Sequence, residues 1–265
     1  MEVFIPVATM AFLGLVFSLG LVFAYRKLKV EEDPRIEQIS ELLPQANCGA
    51  CGYSGCRAFA ESLVRGIVEP NGCPVGGEDT ASQITDIMGL KPAEFVKKIA
   101  RVHCRGNNQA APQRGNYLGI TTCYASHLVG GNKKCSYGCL GFGDCVKACP
   151  FEAMYMSEEG LPVVIEEKCT ACGICVDVCP RNIMELHPAE QNIIVFCRSE
   201  DRGAVARKVC KNACIACGIC VRACPEAIIL ENNLAVIKDF RKIDPEKIPE
   251  IERCPTDSIG RIIKS

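Results

Sequence analysis

The sequence predicts an α+β chain built from one apolar helix and a series of small modules held together by cysteine rather than by a large hydrophobic core. Three observations predict it. Val3 to Tyr25 is an uncharged run of 23 residues. The chain carries 21 cysteines in 265 residues, many of them in C-x₂-C-x₂-C-x₃-C-P spacing. Cysteine–proline pairs also recur at a fixed interval: Cys149–Pro150 and Cys179–Pro180 are 30 residues apart, as are Cys224–Pro225 and Cys254–Pro255. With no Trp and only 6% aromatic residues, the chain lacks the material for one large conventional core.

The N-terminal run is long enough to span a bilayer. Arg26, Lys27 and Lys29 follow it, and the positive-inside tendency then places the rest of the chain on the cytoplasmic side of the inner membrane as a single-pass protein. A cleaved secretory signal is the competing reading. It fails for want of a basic segment before the run and a small-residue cleavage site after it, and export would carry the thiols into an oxidising space. The expected divisions are 1–30 for the helix and its basic flank, 31–90 for a first module, 91–134 for a connecting segment, 135–190 for a second module and 191–265 for a third.

Cys48-x₂-Cys51-x₄-Cys56 lies in a loop with Gly49, Gly52 and Gly55. Cys73–Pro74 returns after the apolar-periodic stretch Arg57 to Val68. Glycines let backbone amides approach inorganic sulfur, and the helix brings back a fourth thiolate, so this module reads as a loop–helix holder of one [4Fe–4S] cluster. A zinc knuckle with one remote ligand is the competing reading.

Further along, CVKACP, CVDVCP and CVRACP begin at Cys145, Cys175 and Cys220, which marks an internal duplication. Cys169, Cys172, Cys175 and Cys179–Pro180 have the spacing in which three thiolates hold one [4Fe–4S] cluster and the fourth reaches the neighbouring one. Disulfide frameworks do not favour this spacing, and structural zinc pairs two separated C-x₂-C knuckles. In the 135–190 module, Phe142 stands where Cys217 stands in the next repeat, so Cys135 is taken as the replacement. The expected ligand sets are then Cys135, Cys139, Cys145 and Cys179 for one cluster, and Cys149, Cys169, Cys172 and Cys175 for the other. In the 191–265 module, Cys214, Cys217, Cys220 and Cys254 form one set. Its second site falls on Asp244, Lys247 and Glu250 and is lost, which leaves Cys224 as a lone buried thiol. Of the remaining cysteines, Cys104, Cys123, Cys197 and Cys210 are candidates for a fifth cluster. The fold expected is thus a transmembrane helix, one loop–helix [4Fe–4S] module and two tandem ferredoxin-like modules, with four clusters or five.

Other chemistry is poorly represented. The formal net charge of −1 gives no basic field for nucleic acid. There is no G-x-G-x-x-G at a strand–helix junction and no P-loop, so neither flavin nor nicotinamide is expected in this chain. A Rieske-type centre would need paired histidines. Among His103, His127 and His187 only His103, beside Cys104, is a candidate, and a core or solvated histidine is the better reading. Arg198, Arg202, Arg207, Lys208, Lys211 and Arg222 outnumber Glu200 and Asp201, a local balance of +4 that suits either an acidic redox partner or a solvated face.

The order of an N-terminal membrane helix, a C-x₂-C-x₄-C-x₁₆-C-P module and a module beginning CSYGCLGFGDCVKACPFEAM at Cys135 resembles the B subunit of the Rnf (Rsx) complex, the ion-translocating ferredoxin:NAD⁺ oxidoreductase. The resemblance covers essentially the whole chain. It implies a subunit that accepts electrons from reduced ferredoxin and relays them to membrane partners, which move Na⁺ or H⁺ and reduce NAD⁺ at a flavin in another subunit. On this reading the chain is part of a translocase but has no catalytic residue of its own. Two alternatives stay open: a redox-sensing or scaffold iron–sulfur protein, and a polyferredoxin-like subunit of another membrane oxidoreductase.

Overall fold

The computed structural model describes residues 4–28, 33–91 and 95–262. Lys29 of the basic flank lies outside the described residues. Helix α1 (Phe4–Leu28) is apolar, and Val7–Leu28 has the length and hydropathy to cross a membrane. Its large side chains are exposed to the surroundings, from 46% at Val16 to 76% at Met10, so none of the described residues covers it. A soluble helix would hide such a face. A bilayer is the environment in which this composition is stable.

Helix α2 (Pro34–Leu42) starts at Asp33, whose carboxylate caps Arg35 N–H and also pairs with the Arg35 guanidinium. It lies against α3 (Cys56–Val64) and α4 (Gly77–Met88). Ile39, Phe59, Ala60, Leu63 and Ile84 make a small, fully enclosed core there. This core fixes α3, whose first residue is Cys56.

The remainder is built on one plan used twice. In the first copy β1 (Lys98–Val102) comes first, followed by α5 (Cys123–Leu128), α6 (Asp144–Lys147), the hairpin of β2 (Met154–Met156) and β3 (Pro162–Val164), α7 (Ile174–Asp177) and β4 (Met184–Pro188). In the second copy β5 (Ile193–Val195) leads to α8 (Gly203–Val209), α9 (Ile219–Ala223), the hairpin of β6 (Ile228–Glu231) and β7 (Leu234–Ile237), α10 (Ile248–Ile251) and β8 (Ile259–Arg261). The first and last strands of each copy pair antiparallel, with Val102 opposite Met184 in one and Val195 opposite Ile259 in the other. Segment 91–134 therefore does more than connect, because it supplies the first strand of the first copy.

The backbone repeats as closely as the strand pairing. Two residues after the first cysteine of each motif the chain is left-handed, at Gly141 (φ 81°), Ala171 (φ 57°) and Ala216 (φ 54°). Three residues after Cys149, Cys179 and Cys254, though not after Cys224, it is left-handed again, at Glu152 (φ 49°), Asn182 (φ 51°) and Asp257 (φ 52°). Such values are unfavourable for a residue with a Cβ, so their recurrence at fixed offsets reflects a turn the cysteines require. Short helices α6, α7 and α9 then begin just after left-handed Gly143, Gly173 and Gly218.

Candidate iron–sulfur sites

Four pockets of similar size are each lined by four cysteines. Cys48, Cys51, Cys56 and Cys73 line one of about 300 Å³. Cys149, Cys169, Cys172 and Cys175 line another of about 330 Å³, and Cys214, Cys217, Cys220 and Cys254 a third of about 330 Å³. The fourth, about 400 Å³, is lined by Cys123, Cys139, Cys145 and Cys179.

That last set differs from the expected one, since Cys123 stands where Cys135 was placed. The cause is a cap acting across the chain. The Asp144 carboxylate, at the start of α6, accepts from Cys123 N–H at 2.8 Å and Tyr124 N–H at 3.3 Å, while Thr122 Oγ1 accepts from Ala125 N–H at 3.2 Å. Together they fix the start of α5 against α6 and bring Cys123 beside Cys145 and Cys179. Spacing could not reveal this, because the anchoring contact spans 21 residues.

Cys135 instead joins Cys104, Cys197 and Cys210. All three sit within electrostatic reach of the buried Cys104 sulfur. A Cβ on Gly106 would lie 3.3 Å from Cys104 Sγ and 3.4 Å from Cys210 Sγ, and one on Gly138 would lie 3.2 Å from Cys135 Sγ. Both glycines let backbone come close to sulfur. The two copies of the plan contribute equally. Cys104 Sγ accepts from Gly106 N–H at 3.3 Å and Cys139 N–H at 3.4 Å. Cys197 Sγ accepts from Ser199 N–H at 3.4 Å and Cys214 N–H at 3.3 Å. Each sulfur thus takes a bond from the amide two residues on and one from the first cysteine of its own motif. Cys135 and Cys210 match as well, each four residues before that first cysteine.

The donor set fits iron–sulfur clusters. Burial pushes the thiols of Cys139, Cys145, Cys175 and Cys197 up to about 12, and those of Cys210 and Cys220 up to about 11. Such groups stay protonated near neutrality unless a bound cation supplies the charge that stabilises the thiolate. Cys254 goes the other way. Burial opposes its ionisation, yet hydrogen bonds from Ser258 and Thr256 outweigh burial and hold it below the usual thiol range. Tetrahedral zinc would draw its thiolates to about 3.8 Å from one another, given Zn–S bonds of about 2.3 Å. Among the described residues, no three of these sulfurs lie within 4.8 Å of each other.

The five groups stand in file. Cys48 of the first lies within electrostatic reach of Cys172, and Cys175 of the next is in reach of Cys145. From there the Cys139 amide bonds Cys104 Sγ, and at the far side the Cys214 amide bonds Cys197 Sγ. Lys133 is buried and donates to Gly106 O at 2.9 Å, with its charge facing Cys104, Cys139 and Cys210. Cys217 is the exposed cysteine at the last group. Arg222 Nη1 donates to Cys217 O at 3.3 Å, and Arg202, Arg207, Lys208 and Lys211 of the same copy are exposed, while Arg198 pairs with Glu185. Cys224 is buried near Lys247, at the position where the repeat has lost a site.

Three family models match the chain: FeS, an Fe-S cluster family, over residues 43–75, and two 4Fe-4S dicluster domains over residues 134–184 and 168–228. The chain is 44% identical over 264 residues to the B subunit of the Na(+)-translocating ferredoxin:NAD(+) oxidoreductase complex of Acetobacterium woodii, covering 97% of this chain and 78% of that protein. It is 37% identical over 257 residues to the B subunit of the proton-translocating ferredoxin:NAD(+) oxidoreductase complex of Clostridium ljungdahlii, with 96% and 90% covered. To the B subunit of the ion-translocating oxidoreductase complex of Methanosarcina acetivorans it is 38% identical over 206 residues, with 77% and 78% covered.

Proposed function

Since the chain belongs to the family of B subunits of ion-translocating ferredoxin:NAD⁺ oxidoreductase complexes, and is an iron–sulfur electron-transfer subunit of such a complex, we propose that it holds five [4Fe–4S] clusters in a single file. The ligand sets are Cys48, Cys51, Cys56 and Cys73; Cys149, Cys169, Cys172 and Cys175; Cys123, Cys139, Cys145 and Cys179; Cys104, Cys135, Cys197 and Cys210; and Cys214, Cys217, Cys220 and Cys254. When bound, the clusters supply one-electron transfer. The chain's part is to bind them, bury them from water, bond their sulfur ligands and set their spacing. The observation that carries this reading is the matched sulfur bonding of Cys104 and Cys197, which makes the fourth group the joint between the two copies of the plan.

On this reading reduced ferredoxin docks on the second copy at the exposed Cys217, where Arg222 beside it and the exposed basic residues of the same copy suit an acidic partner. The Cys48–Cys73 group, next in sequence to α1, faces the membrane subunits of the complex. The clusters lie on the cytoplasmic side of the inner membrane, in keeping with reduced thiols and the basic flank of α1.

Anaerobic iron and sulfide analysis of the purified chain, with EPR during titration by reduced ferredoxin, tests the proposal. About 20 irons per chain are expected at four per cluster, falling by about four in Cys104→Ala. About 16 in the native chain, unchanged by Cys104→Ala, would remove the fourth group from the file. Clusters that ferredoxin cannot reduce would refute the assigned donor.

A further inference from the structure

His103, next to Cys104 in the sequence, Glu185 and His187 converge on one point. Glu185 and His187 are two residues apart in β4 and so project from the same face of the strand. His103 follows β1, the strand paired with β4, and its N–H bonds Ile183 O at 2.8 Å. The two imidazoles meet with Nε2 to Nε2 at 2.8 Å, and Glu185 Oε2 lies 3.6 Å from His103 Nε2 and 3.7 Å from His187 Nε2. His103 is buried, the His187 side chain is 16% exposed and Glu185 is about half exposed, so the cluster is open to solvent mainly on the Glu185 side.

Hydrogen bonding decides what the two facing nitrogens are. His103 Nδ1 lies 2.7 Å from the backbone oxygen of Val195, an acceptor only, so Nδ1 carries the hydrogen. His187 Nδ1 lies 3.0 Å from Gln191 Oε1, and the Gln191 amide is oriented by donation from its Nε2 to Ile193 O at 3.2 Å. His187 Nδ1 carries a hydrogen too. In neutral rings both Nε2 atoms are then bare lone pairs pointing at each other, an arrangement that is repulsive unless a cation lies between them. A shared proton would engage the two rings alone. Here the carboxylate oxygen is almost equidistant from both nitrogens, which sets three donors around a common centre.

We propose that His103, His187 and Glu185 form a binding site for a divalent ion of the zinc class. Bonds of about 2.0–2.1 Å in a tetrahedron place ligand atoms about 3.4 Å apart, and the three edges of 2.8, 3.6 and 3.7 Å bracket that value. Each imidazole also donates its other N–H to a fixed oxygen, the arrangement that orients histidine on a metal. Arg198 donates to the same Glu185 Oε2, using one of its lone pairs, and its charge reaches His103, so the ion would share that oxygen with the guanidinium. Nitrogen and oxygen donors without thiolate distinguish this site from every cysteine group. It lies where β1 and β4 of the first copy meet β5 of the second, so the ion ties together the same seam that the Cys104–Cys210 group straddles.

The test uses the full-length chain, purified anaerobically with its clusters, equilibrated with micromolar zinc chloride and dialysed. The expected result is one zinc per chain. Its X-ray absorption should show nitrogen and oxygen neighbours at about 2.0–2.1 Å and no sulfur at about 2.3 Å. His187→Asn should lose the zinc with iron content unchanged, while His127→Asn, at an exposed site, should keep it. If His187→Asn loses iron as well, Glu185→Gln serves in its place, with zinc retention against a chelator weakened at least about tenfold. No retained zinc, zinc bound through sulfur, or zinc kept in full by both His187→Asn and Glu185→Gln would overturn the proposal.

Discussion

The two copies of the repeated plan part company at one place. In the first, Cys169, Cys172 and Cys175 surround α7 and line a pocket together with Cys149. In the second, Asp244, Lys247 and Glu250 take those positions, and α10 turns Ile251 inward instead. Ile251 is fully buried, and Ile243 and Ile248 pack against the same core as Cys224, the counterpart of Cys149. The helix and the closing strand persist although their cysteines have gone. A thiolate site and an apolar cluster are thus interchangeable ways to hold this corner, with different dependences. The first ties folding to metal. The second draws on ordinary burial, about 1.5–3 kcal/mol for the fully buried Ile251 and less for the partly buried Ile243 and Ile248.

The largest expected effect comes from breaking the metal-dependent corner. Cys175→Ala should remove about four irons and unprotect the amides around α7 and β4 to hydrogen exchange, while α1 still inserts into membranes. Unchanged iron would contradict the ligand assignment. The converse change rebuilds a site in the second copy. Asp244→Cys, Lys247→Cys and Glu250→Cys together should recruit Cys224 and add about four irons to a reconstituted chain. No gain in iron would mean that the apolar repacking has closed the corner. Next comes Ile251→Ala, which leaves a cavity in that repacked corner. A cost of about 2–5 kcal/mol is expected in denaturant unfolding, with iron content held. The smallest effect concerns the joint between the copies. Lys133 is buried against three sulfurs, whereas Lys208, its counterpart 75 residues on, is exposed. Lys133→Met should lower, in a redox titration, the midpoint potentials of the two clusters whose ligands it faces, through Cys104 and Cys210 in one and Cys139 in the other, and leave the remaining potentials in place, because removing a buried cation disfavours the added electron. Equal shifts in every potential would argue against a local charge effect.

Much of this was legible in the residues, and what was not has a physical cause. Spacing groups the same cysteines that the structure brings to one pocket where that pocket is closed by one loop and one helix, as for Cys48 to Cys73, or by two motifs of one repeat, as for Cys149 to Cys175. It groups Cys135 with Cys139, Cys145 and Cys179, where the structure puts Cys123 instead, because these neighbours are set by contacts over long separations: the Asp144 cap on α5 in one case, and the meeting of the two copies in the other. One signal for Cys135 was nevertheless present. It stands in register with Cys210, so the repeat itself assigns both to the same kind of site. The histidine cluster carried no such signal, since His103 and His187 are 84 residues apart and only the β1–β4 pairing brings them together. The five-residue β1 strand is too short for its alternation to stand out in the sequence.

The file of cysteine groups also has a direction in time. The last cysteine of each group, taken from the α1 end outward, is Cys73, Cys175, Cys179, Cys210 and Cys254, so order in space is order along the chain. On the proposed ligand sets, a nascent chain held at the bilayer by α1 would complete these groups one after another as it leaves the ribosome. Each finished group already abuts the place where the next will close, and biosynthesis can lay the conductor outward from the membrane without revisiting an earlier joint.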